Sequence, residues 1–120
     1  KYHFLFFPSL YNYTGPDQEL YDGWPQVMKP FEYIGSKALT RDLARYLNVT
    51  YSNYNIRANC IIPHLVTTQE TNVPDKLKHR ACSKRGSTSL EIAEVVDFVL
   101  RSPENLMGQE IKIDGGWSLK

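Results

Sequence analysis

At 120 residues the chain has room for one domain. Its 42% hydrophobic and 22% charged content matches ordinary globular proteins and argues against intrinsic disorder. Fourteen basic and thirteen acidic residues leave a net charge of +1, without the basic excess that binding to phosphates demands, so no nucleic-acid partner is expected.

Tyr2 to Phe7 is aromatic and apolar, is bounded by Pro8, and suits a buried strand. Its apolar core, Phe4-Leu5-Phe6-Phe7, is far too short to span a bilayer. Lys1, a few apolar residues and then Pro8 do not make a signal peptide, so a cytoplasmic protein without a membrane partner is expected. Residues 8–30 hold Pro8, Pro16, Pro25 and Pro30 with Gly15 and Gly23, and read as a long irregular connection of the kind that shapes pockets. Pro30 suits the first turn of a helix over 31–48, where Leu39, Leu43, Tyr46 and Leu47 recur at helical spacing.

A buried strand follows from Ile56 to Ile62, stopped by Pro63. Residues 64–86 are polar, with a short helix around 74–83. Thr88 and Glu91 form a capping box ahead of Ile92, Val95, Val96 and Val99, which predicts a helix over 89–101 that stops near Ser102-Pro103. Gln109 to Ile113 alternates into the turn Asp114-Gly115-Gly116. Strands separated by helices imply an α/β layer fold with parallel strands.

Cys60, inside an apolar run, reads as a small buried hydrophobe. With Cys82 it makes no disulfide or metal framework, and His3, His64 and His79 lack ligand spacing, so no metal is expected. Asn12-Tyr13-Thr14 and Asn48-Val49-Thr50 match glycosylation triplets by chance.

The chemistry concentrates at Tyr33-Ile34-Gly35-Ser36-Lys37, at the start of the first long helix. A spacing of four puts the phenol and the ammonium on one helical face, and a positive neighbour eases proton exchange by a phenol. The same pair on an arbitrary helix is a solvated contact. Here it is followed by Asn55-Ile56-Arg57-Ala58-Asn59, Arg85-Gly86, Glu91-Ile92-Ala93 and Gly108-Gln109-Glu110-Ile111-Lys112-Ile113-Asp114-Gly115-Gly116. In that order and at those intervals, the motifs resemble the C-terminal half of the short-chain dehydrogenase/reductase family, and the resemblance covers nearly the whole chain.

The resemblance implies a Rossmann-like, doubly wound parallel sheet in three α/β/α layers, of which residues 1–120 are a single partial domain. It implies hydride transfer between NAD or NADP and a carbonyl or secondary alcohol. By it, Tyr33 is the general acid/base, Lys37 supports the phenolate and holds the nicotinamide ribose, and Ser9 is the catalytic serine. The structural alternative for Ser9 is a turn-capping hydroxyl. Pro63, Val66 and Thr68 match the family's cofactor-contacting stretch, but His64 stands where the family has glycine. That side chain is either a tolerated substitution or an additional catalytic group.

The interval from Ser9 to Tyr33 is long for the family, and residues 15–23 resemble an insertion in members tied to surface-sugar biosynthesis, which suggests a sugar-derived substrate. A homodimer or homotetramer packed through the two long helices is implied as well. One family feature is missing from these residues: the glycine-rich turn that receives the pyrophosphate. The chain is therefore read as half of a dehydrogenase, inactive by itself, or alternatively as a half-domain serving as a scaffold or partner-binding module.

Overall fold

The structure, a computed structural model, describes residues 1–23, 29–68 and 73–120. Its sheet has three parallel strands, β1 (Tyr2–Phe6), β2 (Ile56–Pro63) and β3 (Glu110–Ile113), in the order β1-β2-β3. The register runs from Tyr2 opposite Ile56 to Phe6 opposite Cys60, and from Cys60 opposite Glu110 to Pro63 opposite Ile113. Parallel neighbours need long crossovers, and each crossover here carries a long helix: α2 (Phe31–Thr50) before β2 and α4 (Ser89–Arg101) before β3. Two short helices, α1 (Tyr11–Thr14) and α3 (Asp75–Arg80), complete the α-helical elements among the described residues. The expected α/β parallel architecture is the one found.

Boundaries shift for local reasons. β1 ends at Phe6, because Pro8 has no N–H to offer the ladder. Pro30 sits at the N-cap of α2 rather than in its first turn, and its carbonyl accepts from Tyr33 N at 3.2 Å. α2 runs on to Thr50, helped by Asn48, whose side chain donates to Ala44 O and Ala58 O (both 2.8 Å) and accepts from Ala58 N (2.9 Å). Residues 8–30 contain α1 and a 3-10 turn at Gln18–Leu20, both too short to leave a periodic signature.

The two faces of β2 are built differently. On one, Ala58 and Cys60 pack against Ala44, Leu47 and Phe6, small side chains that let α2 lie close. Burial pushes the Cys60 thiol up to about 11, so it acts as the small hydrophobe expected. On the other face stand the polar residues of the Asn-Ile-Arg-x-Asn motif. Arg57, only 6% exposed, donates to Ser102 O (3.0 Å), Pro103 O (2.9 Å) and Leu100 O (2.9 Å), the orphan carbonyls at the end of α4. Asn59 donates to Leu106 O at 2.8 Å and accepts from Gln109 N at 2.9 Å, fixing the entry into β3. It also meets His3 Nε2 at 2.9 Å; burial, then Arg57 and Lys1, hold that imidazole below its ordinary pKa.

The capping box of α4 is present as expected: Glu91 N donates to Thr88 Oγ1 (3.2 Å) and Thr88 N to Glu91 Oε2 (2.7 Å). Arg85, hydrogen-bonded to the same carboxylate, holds Glu91 down to about 2, with help from Thr88 N. Gly86 is needed where it stands: an added Cβ would come within 2.6 Å of Thr67 Cγ2 and 2.9 Å of Leu65 O. There Thr67 N donates to Ser87 O and Ser87 N to Leu65 O, tying the chain after β2 to the start of α4.

Candidate active site

The carboxyl ends of β1 and β2 open beside the first turn of α2, the position where open parallel sheets bind ligands. A cavity of about 250 Å³ lies there, and Ser9, Tyr33, Lys37 and Pro63 all line it. Residues far apart in sequence are thus brought to one site.

Ser9 follows β1 and is 7% exposed. Its Oγ accepts from Tyr11 N at 3.2 Å, so its O–H remains as a donor. Its own N–H donates to Asn12 Oδ1 at 3.0 Å, and Asn12 Nδ2 donates in turn to Ile34 O at 2.9 Å. Asn12 therefore couples the serine loop to the residue next to Tyr33. The sequence marked Asn12 only as the start of a chance glycosylation triplet, because a single asparagine in a stretch without periodicity carries no signal of this linking role.

Tyr33 and Lys37 stand one helical turn apart as the spacing predicted, with Lys37 Nζ 6.0 Å from the tyrosine ring centroid. Lys29 also reaches this ring: its Nζ lies 5.3 Å from the Tyr33 centroid and 5.4 Å from that of Tyr21. Tyr21 and Tyr11 join hydroxyl to hydroxyl, and burial raises both phenols, Tyr11 well above the ordinary tyrosine range, so they remain neutral. Leu10, Leu77 and Trp117 close the apolar side of the cavity.

His64 lines the cavity as well, yet its two ring nitrogens already face backbone oxygens, Nδ1 at 3.3 Å from Ile113 O and Nε2 at 3.1 Å from Arg85 O. The ring braces the end of β2 to β3 and to the loop before α4. Val66 and Thr68 are not brought to this cavity; Val66 pairs with Ser87 instead, and both are exposed.

The donor set fits a nicotinamide ribose: an ammonium and a phenol hydroxyl, one turn apart at the cavity, neither tied into an ion pair among the described residues. A cleft with one proton-transfer group, one hydroxyl donor and adjacent cations suits acid–base chemistry on an oxygen substituent.

Comparisons with known proteins bear on the family and the fold. The model of the enoyl-(acyl carrier protein) reductase family matches residues 23–118. The chain is 30% identical over 95 residues to a tropinone reductase homolog of Arabidopsis thaliana, covering 72% of this chain and 35% of the relative. A short-chain dehydrogenase from Leptospira borgpetersenii, solved with bound NAD+, superposes with a TM-score of 0.81 at 25% identity, over 97% of this chain and 44% of that one. Acetoin dehydrogenase from Enterobacter cloacae superposes at 0.74 and 19% identity, over 98% of this chain and 43% of that one, a likeness of fold alone. The chain thus spans about a third of its curated relative and under half of these structures.

Proposed function

The chain belongs to the short-chain dehydrogenase/reductase family, and from that premise we propose that it carries the catalytic half of an NAD- or NADP-dependent oxidoreductase acting on a carbonyl or secondary alcohol. The observation that carries the proposal is the convergence of Ser9, Tyr33 and Lys37 on one cavity at the carboxyl end of a parallel sheet. A scaffold needs no such convergence.

Nicotinamide, when bound, supplies or accepts the hydride. Tyr33 gives its hydroxyl proton to the carbonyl oxygen in reduction and takes it from the alcohol in oxidation. The Ser9 hydroxyl donates to the same oxygen as negative charge builds on it. The Lys37 ammonium stabilises the charge left on the phenol oxygen by Coulomb attraction, which is stronger in a partly desolvated cleft than in water. Tyr33, Lys37 and Pro63 are the cofactor-holding residues at the cavity, with Val66 and Thr68 continuing along the chain beyond β2. The test is Tyr33→Phe in the complete protein: the ring stays, the transferable proton goes, and turnover falls at least about a hundredfold. Near-normal activity in that variant would overturn the assignment.

Residues 1–120 contain no glycine-rich turn for the pyrophosphate, and we read them as one partial domain. By themselves they are expected to show no reductase activity and to hold NAD or NADP no better than about millimolar. Micromolar binding in a calorimetric titration would show that the grip has been misplaced.

The similarity of residues 15–23 to the surface-sugar insertion supports a sugar-derived substrate. The exposed stripes Leu39 (71%), Leu43 and Tyr46 on α2, and Leu90 and Phe98 (63%) on α4, support a homodimer or homotetramer. A monomer in light scattering at micromolar concentration would count against it. No helix among the described residues is long and apolar enough to cross a membrane. A cytoplasmic location suits an enzyme that draws on the nicotinamide pools.

A further inference from the structure

Two lysines line the cavity, Lys29 and Lys37, and no carboxylate does so among the described residues. The dehydrogenase reading uses only Lys37. Lys29 is nonetheless held in place: its backbone N–H donates to Gln18 Oε1 at 3.0 Å and its carbonyl accepts from Gln18 Nε2 at 3.2 Å. This two-point clamp by a side chain of the 3-10 turn fixes where the Lys29 side chain departs. Its ammonium then lies between the rings of Tyr21 and Tyr33, half-buried, with no ion-pair partner among the described residues. Aromatic faces attract a cation weakly and leave its N–H donors unspent.

We propose, resting on the dehydrogenase reading of the same cavity, that Lys29 is a specificity residue and that the substrate is a small oxo or hydroxy compound carrying an anionic group, carboxylate or phosphate, a few bonds from the reacting carbon. The distance sets that spacing: an ammonium 5.3 Å from the centre of the proton-donating ring reaches only an anion close to the carbonyl. The size of the cavity, about 250 Å³, sets the small molecule, and Leu10, Leu77 and Trp117 accommodate its carbon skeleton. A lysine recognises either anion as a point charge.

The test uses the complete protein and two matched pairs, acetoacetate with methyl acetoacetate, and dihydroxyacetone phosphate with dihydroxyacetone. Equilibrium binding is followed by ligand-observed NMR or calorimetry, and reduction is followed separately. At least one anion should bind about tenfold more tightly than its neutral partner. That preference should vanish in Lys29→Met and persist in Lys29→Arg. The pair that shows it identifies the group as carboxylate or phosphate. Equal binding within both pairs, or a preference that survives Lys29→Met, overturns the proposal. Lys29-dependent binding without reduction of any of the four compounds would support the anion site and count against the dehydrogenase reading, so the two can fail separately.

Discussion

Arg57 and the lysine pair at the cavity carry the same charge in opposite circumstances. Arg57 is buried and gives its guanidinium to the carbonyls of Leu100, Ser102 and Pro103, which ties the end of α4 to β2. Lys29 and Lys37 are half-buried, rest against tyrosine rings, and meet no carboxylate among the described residues. A cation whose terminal nitrogens are bonded to backbone oxygens serves the fold, because removing it strands those oxygens away from water. A cation beside a cavity with its donors unspent is available to a ligand. The contrast separates stability from activity, and substitutions can break it from either side.

The largest effect is expected at Arg57. Arg57→Met leaves three carbonyls without their donor and should lower unfolding free energy by about 3 kcal/mol, read from urea denaturation, while activity per folded molecule holds. Lys37→Met should do the reverse, lowering turnover by about ten- to a hundredfold with stability within about 0.5 kcal/mol of the parent. Equal losses of stability in the two variants would erase the distinction.

Asn12→Ala tests the link between the two elements proposed to be catalytic. It removes the bonds to Ser9 N and Ile34 O, and kcat should fall about tenfold with little change in KM. The smallest effects belong to the start of α4. Thr88→Ala should cost about 1 kcal/mol by thermal unfolding. Glu91 titrates near 2 in the fold against an ordinary 4.5, so its capping contribution is full above 4.5 and is lost as the pH falls toward 2. Glu91→Gln should therefore flatten the acid limb of stability between those values, and an unchanged limb would place that pH dependence elsewhere.

Much of the frame was legible in the sequence because its causes are local. The Thr88–Glu91 box, the apolar run of β2 and the four-residue spacing of Tyr33 and Lys37 each lie within a single element, where helix or strand geometry alone relates the side chains. The motif Asn-Ile-Arg-x-Asn could be recognised but not explained from sequence, since the partners of Arg57 lie more than forty residues downstream. Val66 could not be placed from sequence either, since its parallel bridge is to Ser87, twenty-one residues downstream.

The sequence by itself determined the types of the long elements, the layered parallel architecture and the helical face that Tyr33 and Lys37 share, all governed by short-range periodicity and capping. Only the tertiary structure decided that Ser9, carried past β1, and Tyr33, at the head of α2, share a cavity, that Asn12 joins them, and that Lys29 stands as a second cation over the tyrosine ring. Those relations involve residues such as Ser9, Asn12, Gln18 and Lys29, in a stretch of sequence where no repeat fixes direction. A side chain there is placed by hydrogen bonds such as the Gln18 clamp, which have no signature until the chain has folded.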